Sequence, residues 1–326
     1  MIWLTWRQFR TQAMTVAGAV AVFTVLAAVS GPQLNDLYDT AGRNLLHRLT
    51  STDRALYYGG LAIVLLVPAV VGAFWGAPLV ARELEAGTHR LAWNQSVTRS
   101  RWLLTKFGVI GTATMAVAGL ASFAVTWWSG PIDRAVENGG AGANDNFLPR
   151  IDPVTFGARG VVPLGYAALA FALGVTLSLL IRRTLAAMAA TLAVFTAVQL
   201  AMPLLIRPHL APSTAITVPF TADTLANYGI DSVSHVDIDK PGAWITSEQT
   251  LDASGHTATG MPSAYTHCDS LKAYISALAK AGYHQRVTYQ PAGNFWSLQW
   301  TETSIYAGLA AVLGLFCIWW IRRRAT

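Results

Sequence analysis

The chain has 326 residues, 53% of them hydrophobic and only 12% charged, with twelve tryptophans and a formal net charge of +6. Soluble domains carry about one-quarter charged residues, so a soluble globular fold is excluded. The surplus Lys and Arg flank apolar runs instead of gathering on one folded face, which excludes a nucleic-acid binder, and Cys268 and Cys317 form no spaced cluster that would make a disulfide framework or zinc site.

Six uncharged runs follow one another: Thr11–Asn35, Ala55–Ala81, Phe107–Ile132, Gly160–Ile181, Thr184–Ile206 and Thr303–Ile321. Each approaches or exceeds the ~20 residues with which an α-helix crosses ~30 Å of hydrocarbon, and none alternates as a barrel strand would. The expected fold is an all-α polytopic membrane protein with six transmembrane helices and a small α+β extracytoplasmic domain before the last helix. Residues 1–206 form the membrane domain, with spans at 13–30, 59–80, 107–128, 160–181 and 184–206; residues 207–302 form the outer domain, and residues 303–326 the sixth span with a basic tail. With both termini cytoplasmic, the inner segments hold twelve of the 23 basic residues, including Arg182, Arg183 and Arg322 to Arg324, as the positive-inside bias requires.

Met1–Gln12 spaces Trp3, Trp6 and Phe9 three apart around Arg7 and Arg10, which suits either a short helix in the headgroup region or a plain basic flank. Ala28-Val29-Ser30 resembles a cleavage site, but the run is longer than a signal core, so it reads as an anchor. In Gly31–Arg54, Leu34, Leu37, Tyr38, Ala41, Leu45 and Leu49 fall at helical spacing, predicting an amphipathic helix on the outer leaflet or the outer domain. The second span holds Pro68, Pro78 and Gly72-Ala-Phe-Trp-Gly76, a spacing that lets two helix backbones approach and that a Gly/Ala-rich chain also produces by chance.

Pro131–Pro153 mixes Gly, Asn, Asp and Pro and reads as a flexible connection. Only Arg182-Arg183 separates the fourth and fifth spans, so these form a tight hairpin. In the outer domain, Ser232–Ile238 and Ala243–Gln249 read as strands, Asp269–Ala281 as a helix with Leu271, Tyr274, Ile275 and Leu278 on one face, and Val287–Trp300 as an aromatic interfacial segment. His235, Asp237 and Asp239 share one face of the first strand; a solvated strand face explains them better than a metal site. No G-x-S-x-G, H-E-x-x-H or phosphate-binding loop is present, so no catalytic, cofactor or metal residue is assigned and an enzyme is not expected.

The six runs carry no ionisable residue, whereas ion-driven carriers keep such groups for their work. Energy for transport would then enter from a separate protein, and Arg82–Lys106 is the inner segment long enough to receive it. Its two-signed surface suits docking: Glu83 and Glu85 at the start, Leu91 and Trp93 between, and Arg99, Arg101 and Lys106 leading into the third span. A solvated connector whose bases hold the helix ends inside accounts for the same composition.

The run Glu83-x-Glu85-x-Gly87-Thr88, followed by Ser96-Val97-Thr98-Arg99-x-Arg101-Trp102-x-Leu104-x-Lys106, resembles the loop between the second and third spans in type-two permeases of ATP-binding-cassette exporters. The tail, Tyr289-Gln290-Pro291 through Trp300 to Arg322–Arg324, is similar to bacterial, mainly actinobacterial, members with a large outer domain. The departure is Asn94-Gln95-Ser96-Val97, where many relatives place a Pro. The resemblance implies a permease subunit of the bacterial plasma membrane with Glu83, Glu85, Gly87, Thr88, Arg90, Arg99, Arg101 and Lys106 docking a cytosolic ATPase, which binds the ATP. It also implies pairing with a second copy or a related permease.

Uncharged walls suggest export of an apolar or amphipathic compound, with Thr112, Thr114, Ser122, Thr126, Thr176, Ser178, Thr191, Thr196 and Gln199 either lining the path or bonding helix to helix. Two rival readings use the same features: a signalling or assembly protein that an ATPase drives without translocation, and an ion-coupled carrier.

Overall fold

In a computed structural model of the chain, the structure describes residues 2–87, 98–140, 147–219, 240–258 and 271–323. The fold is mostly helical. Helix α1 (Ile2–Ala41) turns through a short α2 (Leu45–Arg48) into α3 (Ser51–Val71) and α4 (Pro78–Glu85); α5 (Arg99–Glu137), α6 (Pro153–Phe156), α7 (Val162–Ile181) and α8 (Thr184–Ala201) follow. Strands β1 (Thr214–Pro219) and β2 (Trp244–Leu251), helix α9 (Leu271–Lys280), strand β3 (His284–Gln290) and the long α10 (Phe295–Arg323) complete it. Among the described residues, six helices are long and apolar enough to cross a membrane.

Helix α7 is the axis. It is apolar on every side, with 15 of its 20 residues buried, as a helix surrounded by others must be. Helices α3, α4, α5, α8 and α10 pack against it. The closest approach is at Gly72 and Gly76, in the π-helical turn between α3 and α4. A Cβ on Gly174 of α7 would lie 2.3 Å from the Gly72 carbonyl oxygen, and one on Gly76 would lie 2.7 Å from that of Phe171. The small-residue spacing in the second span is therefore a backbone-to-backbone contact. The π turn sits just ahead of Pro78, whose ring displaces the regular hydrogen-bond ladder.

Local signals set the helix ends. Thr50 and Asp53 form a reciprocal capping box on α3, with the Asp53 N–H donating to Thr50 Oγ1 at 3.2 Å and the Thr50 N–H to Asp53 Oδ2 at 3.0 Å. Thr98 caps α5 and Asp152 caps α6. The α7–α8 hairpin is as tight as expected, and Arg182 closes it with φ 59° while its N–H donates to the Ser178 carbonyl, a left-handed position usually taken by Gly.

The sheet is antiparallel in the order β1-β3-β2. Val287 pairs with Ile216 and Glu248, and a bulge between Ile245 and Ser247 turns the Thr246 hydroxyl onto the Thr288 carbonyl. Ala243–Gln249 is thus recovered as β2, and the helix expected at Asp269–Ala281 as α9. Ser232–Ile238 with His235, Asp237 and Asp239, and likewise His267, Cys268 and Asp269, lie outside the described residues.

Four expectations are corrected. The Gly31–Arg54 segment is not a separate helix on a leaflet: α1 continues to Ala41, and Leu34, Leu45, Leu46 and Leu49 are buried in the main core. Nor is α1 interrupted near Gln12, so the N-terminal segment runs on into the first span. Pro131–Pro153 is not simply a flexible connection either. Helix α5 carries on to Glu137, and Phe147, Ile151 and Phe156 are buried. Finally, the helices outrun the uncharged stretches. Helix α10 starts at Phe295, so Glu302 lies within a helix.

Candidate functional site: a basic end, an apolar cavity and buried ion pairs

Helices α1 and α5 run in the same direction, since Ser30 accepts from Trp128 Nε1 (2.8 Å) and Asn35 from Arg134 Nη2 (3.1 Å) further along both. Helix α10 runs against them, because Arg322 Nε donates to Ser100 Oγ at 3.0 Å. The end of α4, the start of α5, the α7–α8 turn and the end of α10 therefore meet at one end of the bundle. This end carries Arg82, Arg101, Arg182, Arg183, Arg322 and Arg323. The sheet belongs to the other.

The predicted docking residues divide in two at the basic end. Lys106, 6% exposed, donates to Glu83 and lies 4.6 Å from the Trp102 ring centroid, so this pair ties α4 to α5 inside the bundle. Lys106 is buried and Glu83 half-buried, so the pair is turned largely toward each other. Glu85, Gly87 and Arg101 are exposed. Glu85 accepts from the Thr184 hydroxyl, and hydrogen bonds from that residue's side chain and backbone hold its carboxyl below the ordinary range. Gly87 takes φ +67°, which lets the chain leave α4 at a sharp angle. Arg99 begins α5; Thr88, Arg90, Leu91 and Trp93 lie outside the described residues.

Beyond this end, between α5, α7 and α10, lies a cavity of about 450 Å³ walled by Leu103, Phe107, Met115, Phe171, Ala311 and Leu315 among others. Its size falls within the ~300–1,000 Å³ of small-molecule sites. Thr114 lines it, fully buried, and its hydroxyl has no partner among the described residues.

The other polar residues proposed for a path are engaged elsewhere. Ser122 donates to the Gly160 carbonyl and Thr126 accepts from the Gly160 N–H; Thr176, Ser178, Thr191 and Thr112 donate to carbonyls of their own helices; Gln199 accepts from the Tyr306 hydroxyl. Thr196 faces outward. Helix-to-helix and back-bonding roles therefore account for all but Thr114 and Thr196.

Charge-free runs gave no hint of what occupies the sheet end. Arg207, 1% exposed, forks onto Glu302, with Nε 2.7 Å from Oε2 and Nη2 3.0 Å from Oε1. Tyr166 donates to Glu302 Oε1 at 2.6 Å, and Arg207 also reaches the Pro153 carbonyl. Gln299 Oε1 accepts from the N–H groups of Val161 and Val162, capping α7 from α10. A second pair joins Arg159 Nε to Asp133 Oδ2 at 3.1 Å. The Arg207–Glu302 pair links the element before the sheet to the helix after it. In the exposed turn after β2, Asp252, Ser254 and His256 bond one another, and the hydrogen bond from Ser254 first, then that from the His256 backbone, holds the Asp252 carboxyl low. Such a turn has the bonds of a cap.

Residues 17–207, more than half of the chain, match the family described as ABC-2 membrane transporter related. The chain belongs to that family. No curated protein and no solved structure matches it. Membership and six apolar helices make the chain a multi-pass membrane protein and a transporter permease subunit, and permeases of this family in general work with an ATP-binding-cassette ATPase. The matched segment ends at Arg207, the residue that joins the permease core to α10 through Glu302.

Proposed function

We propose that the permease exports an apolar or amphipathic compound from the cytoplasm of a bacterial cell, energised by a separate cytosolic ATPase dimer that docks at the basic end. Both termini then face the cytosol, the sheet module stands outside the membrane, and a second copy or a related permease completes the transporter. The convergence of Glu85, Arg101, Thr184 and Arg322 at one end of a chain from this family is the observation that carries the reading, since charged groups on several elements give a partner register. The internal Glu83–Lys106 pair supports a transmitting role: movement imposed on α4 passes directly to α5, which walls the cavity.

The cavity supports the substrate class, being apolar throughout apart from one unpartnered hydroxyl. The test is co-purification of the tagged permease with its ATPase. Wild type retains the ATPase, Glu85→Lys with Arg101→Glu loses it, and Glu83→Gln keeps it while uncoupling ATP hydrolysis from flux. Retention by the double reversal at wild-type level would overturn the docking assignment.

A further inference from the structure

At the sheet end a second, smaller cavity of about 180 Å³ is lined by Asp133, Arg134, Glu137, Arg150, Arg159 and Trp296, among others. We infer that this chamber binds the anionic phosphate headgroup of a membrane amphiphile, with the Arg159 guanidinium as its principal anchor. The inference needs only the membrane setting, and it stands apart from the docking and export readings.

Three observations converge. First, Arg159 is 1% exposed and lies over the Tyr57 ring, 5.4 Å from its centroid, and while its Nε serves Asp133, its Nη1 and Nη2 have no hydrogen-bond partner among the described residues. A buried donor left unmatched is costly, and more so when charged, so these two groups call for an acceptor. Their spacing on a planar fork suits two oxygens of one phosphate.

Second, formal charges leave the chamber with one positive charge in excess, because three guanidiniums face two carboxylates. Arg150 is paired with Glu137, and Arg134 is partly engaged by Asn35 and the Gly130 carbonyl. Asp133 Oδ1 is unmatched as well; a water would answer the hydrogen bonds but not the charge, whereas a phosphate monoester carrying one proton donates to that oxygen and accepts from Arg159 with its others. Third, exposed aromatic side chains gather beside the chamber, with Trp296 in its lining and Trp127 next to the lining Thr126. Trp127, Trp296 and Trp300 are 45%, 50% and 60% exposed there, as in the belt that marks the headgroup layer of a bilayer. The volume, below the ~300 Å³ of most small-molecule pockets, admits a headgroup and leaves the chains in the surrounding lipid.

The test is native mass spectrometry of the full chain released from detergent in the presence of dioleoyl phosphatidate or dioleoyl phosphatidylcholine. Wild type is expected to retain one phosphatidate at least tenfold more than phosphatidylcholine, and Arg159→Gln to lose that preference. Because Arg159→Gln strips Asp133 of its partner, Arg150→Gln provides a second variant on the half-buried rim, expected to weaken retention severalfold; Arg101→Gln, at the opposite end, should leave it unchanged. Millimolar inorganic phosphate distinguishes the sources. Failure to compete supports a lipid-borne headgroup, and full competition by phosphate at that level overturns the amphiphile in favour of a free oxyanion. Equal retention of the two lipids, or unchanged preference in Arg150→Gln and in a folded Arg159→Gln, overturns the site.

Discussion

Replacing Gly174 by Ala tests whether the permease core is built on the contact between α7 and the π turn. The added Cβ would fall 2.3 Å from the Gly72 carbonyl oxygen and 2.9 Å from the Ala77 nitrogen. Ordinary C···O approaches are about 3.3–3.6 Å, so the two backbones must part by about 1 Å. Neither has a flexible side chain to give way, and the same crossing also holds Gly76 against Phe171. Overpacking of this kind costs about 1–3 kcal/mol, and the upper end applies where the obstruction is backbone on both sides. At 2–4 °C per kcal/mol for a domain of 150–250 residues, that lowers the midpoint by about 6–12 °C.

Gly108→Ala in α5 is the counterpart. It has nothing within 4 Å of its Cβ position, and Ala in a helix interior gains about 0.5–1 kcal/mol over Gly. The two variants thus carry the same chemical change with opposite sign. Thermal unfolding followed by size-exclusion chromatography in one detergent decides between them. Equal midpoints, or Gly174→Ala above Gly108→Ala, would refute the packing argument.

Two further outcomes follow from the sheet end. Glu302→Ala leaves Arg207 buried without its carboxylate and should cost about 3–5 kcal/mol, whereas Arg207→Met with Glu302→Leu should recover most of it; the folded fraction recovered in detergent reads both. Asp152 is pushed above its ordinary 3.8 by burial first, although its Oδ1 accepts from the Val154 N–H. A raised carboxyl binds its proton more tightly folded than unfolded, so this group's contribution falls as pH rises from 3.8 through the raised value. Asp152→Asn keeps the cap without the charge, and its stability relative to wild type should climb across that window and then level off, as denaturation midpoints at stepped pH would record.

The six helices were legible because lipid-facing segments must be apolar whatever their partners, and α8 and α10 keep Leu185, Leu200, Leu309 and Val312 on the outside. The α7–α8 hairpin was legible from Arg182-Arg183 alone. Buried ion pairs were not. Glu302, Arg207, Asp133 and Arg159 are separated in sequence and each sits just beyond an uncharged run, where it reads as a boundary marker; only tertiary packing reveals that the helices continue past them and pair them. The burial of Lys106 was not legible either, since nothing local distinguishes an exposed charge from one answered by a residue 23 positions away. The Gly72–Gly76 spacing was visible, but its partner Gly174 lay in a helix with many small residues and no mark of its own.

The most direct test of the account is flux of a lipophilic fluorescent compound in vesicles reconstituted with the permease, its ATPase, both or neither. The account predicts ATP-dependent movement only with both subunits, unaffected by collapsing ion gradients and strongly reduced by Gly314→Leu. That substitution extends into the apolar cavity past a Phe107 ring atom 3.6 Å from the Cβ position. Flux sustained by an ion gradient without the ATPase, or nucleotide hydrolysis by the purified permease alone, would contradict it.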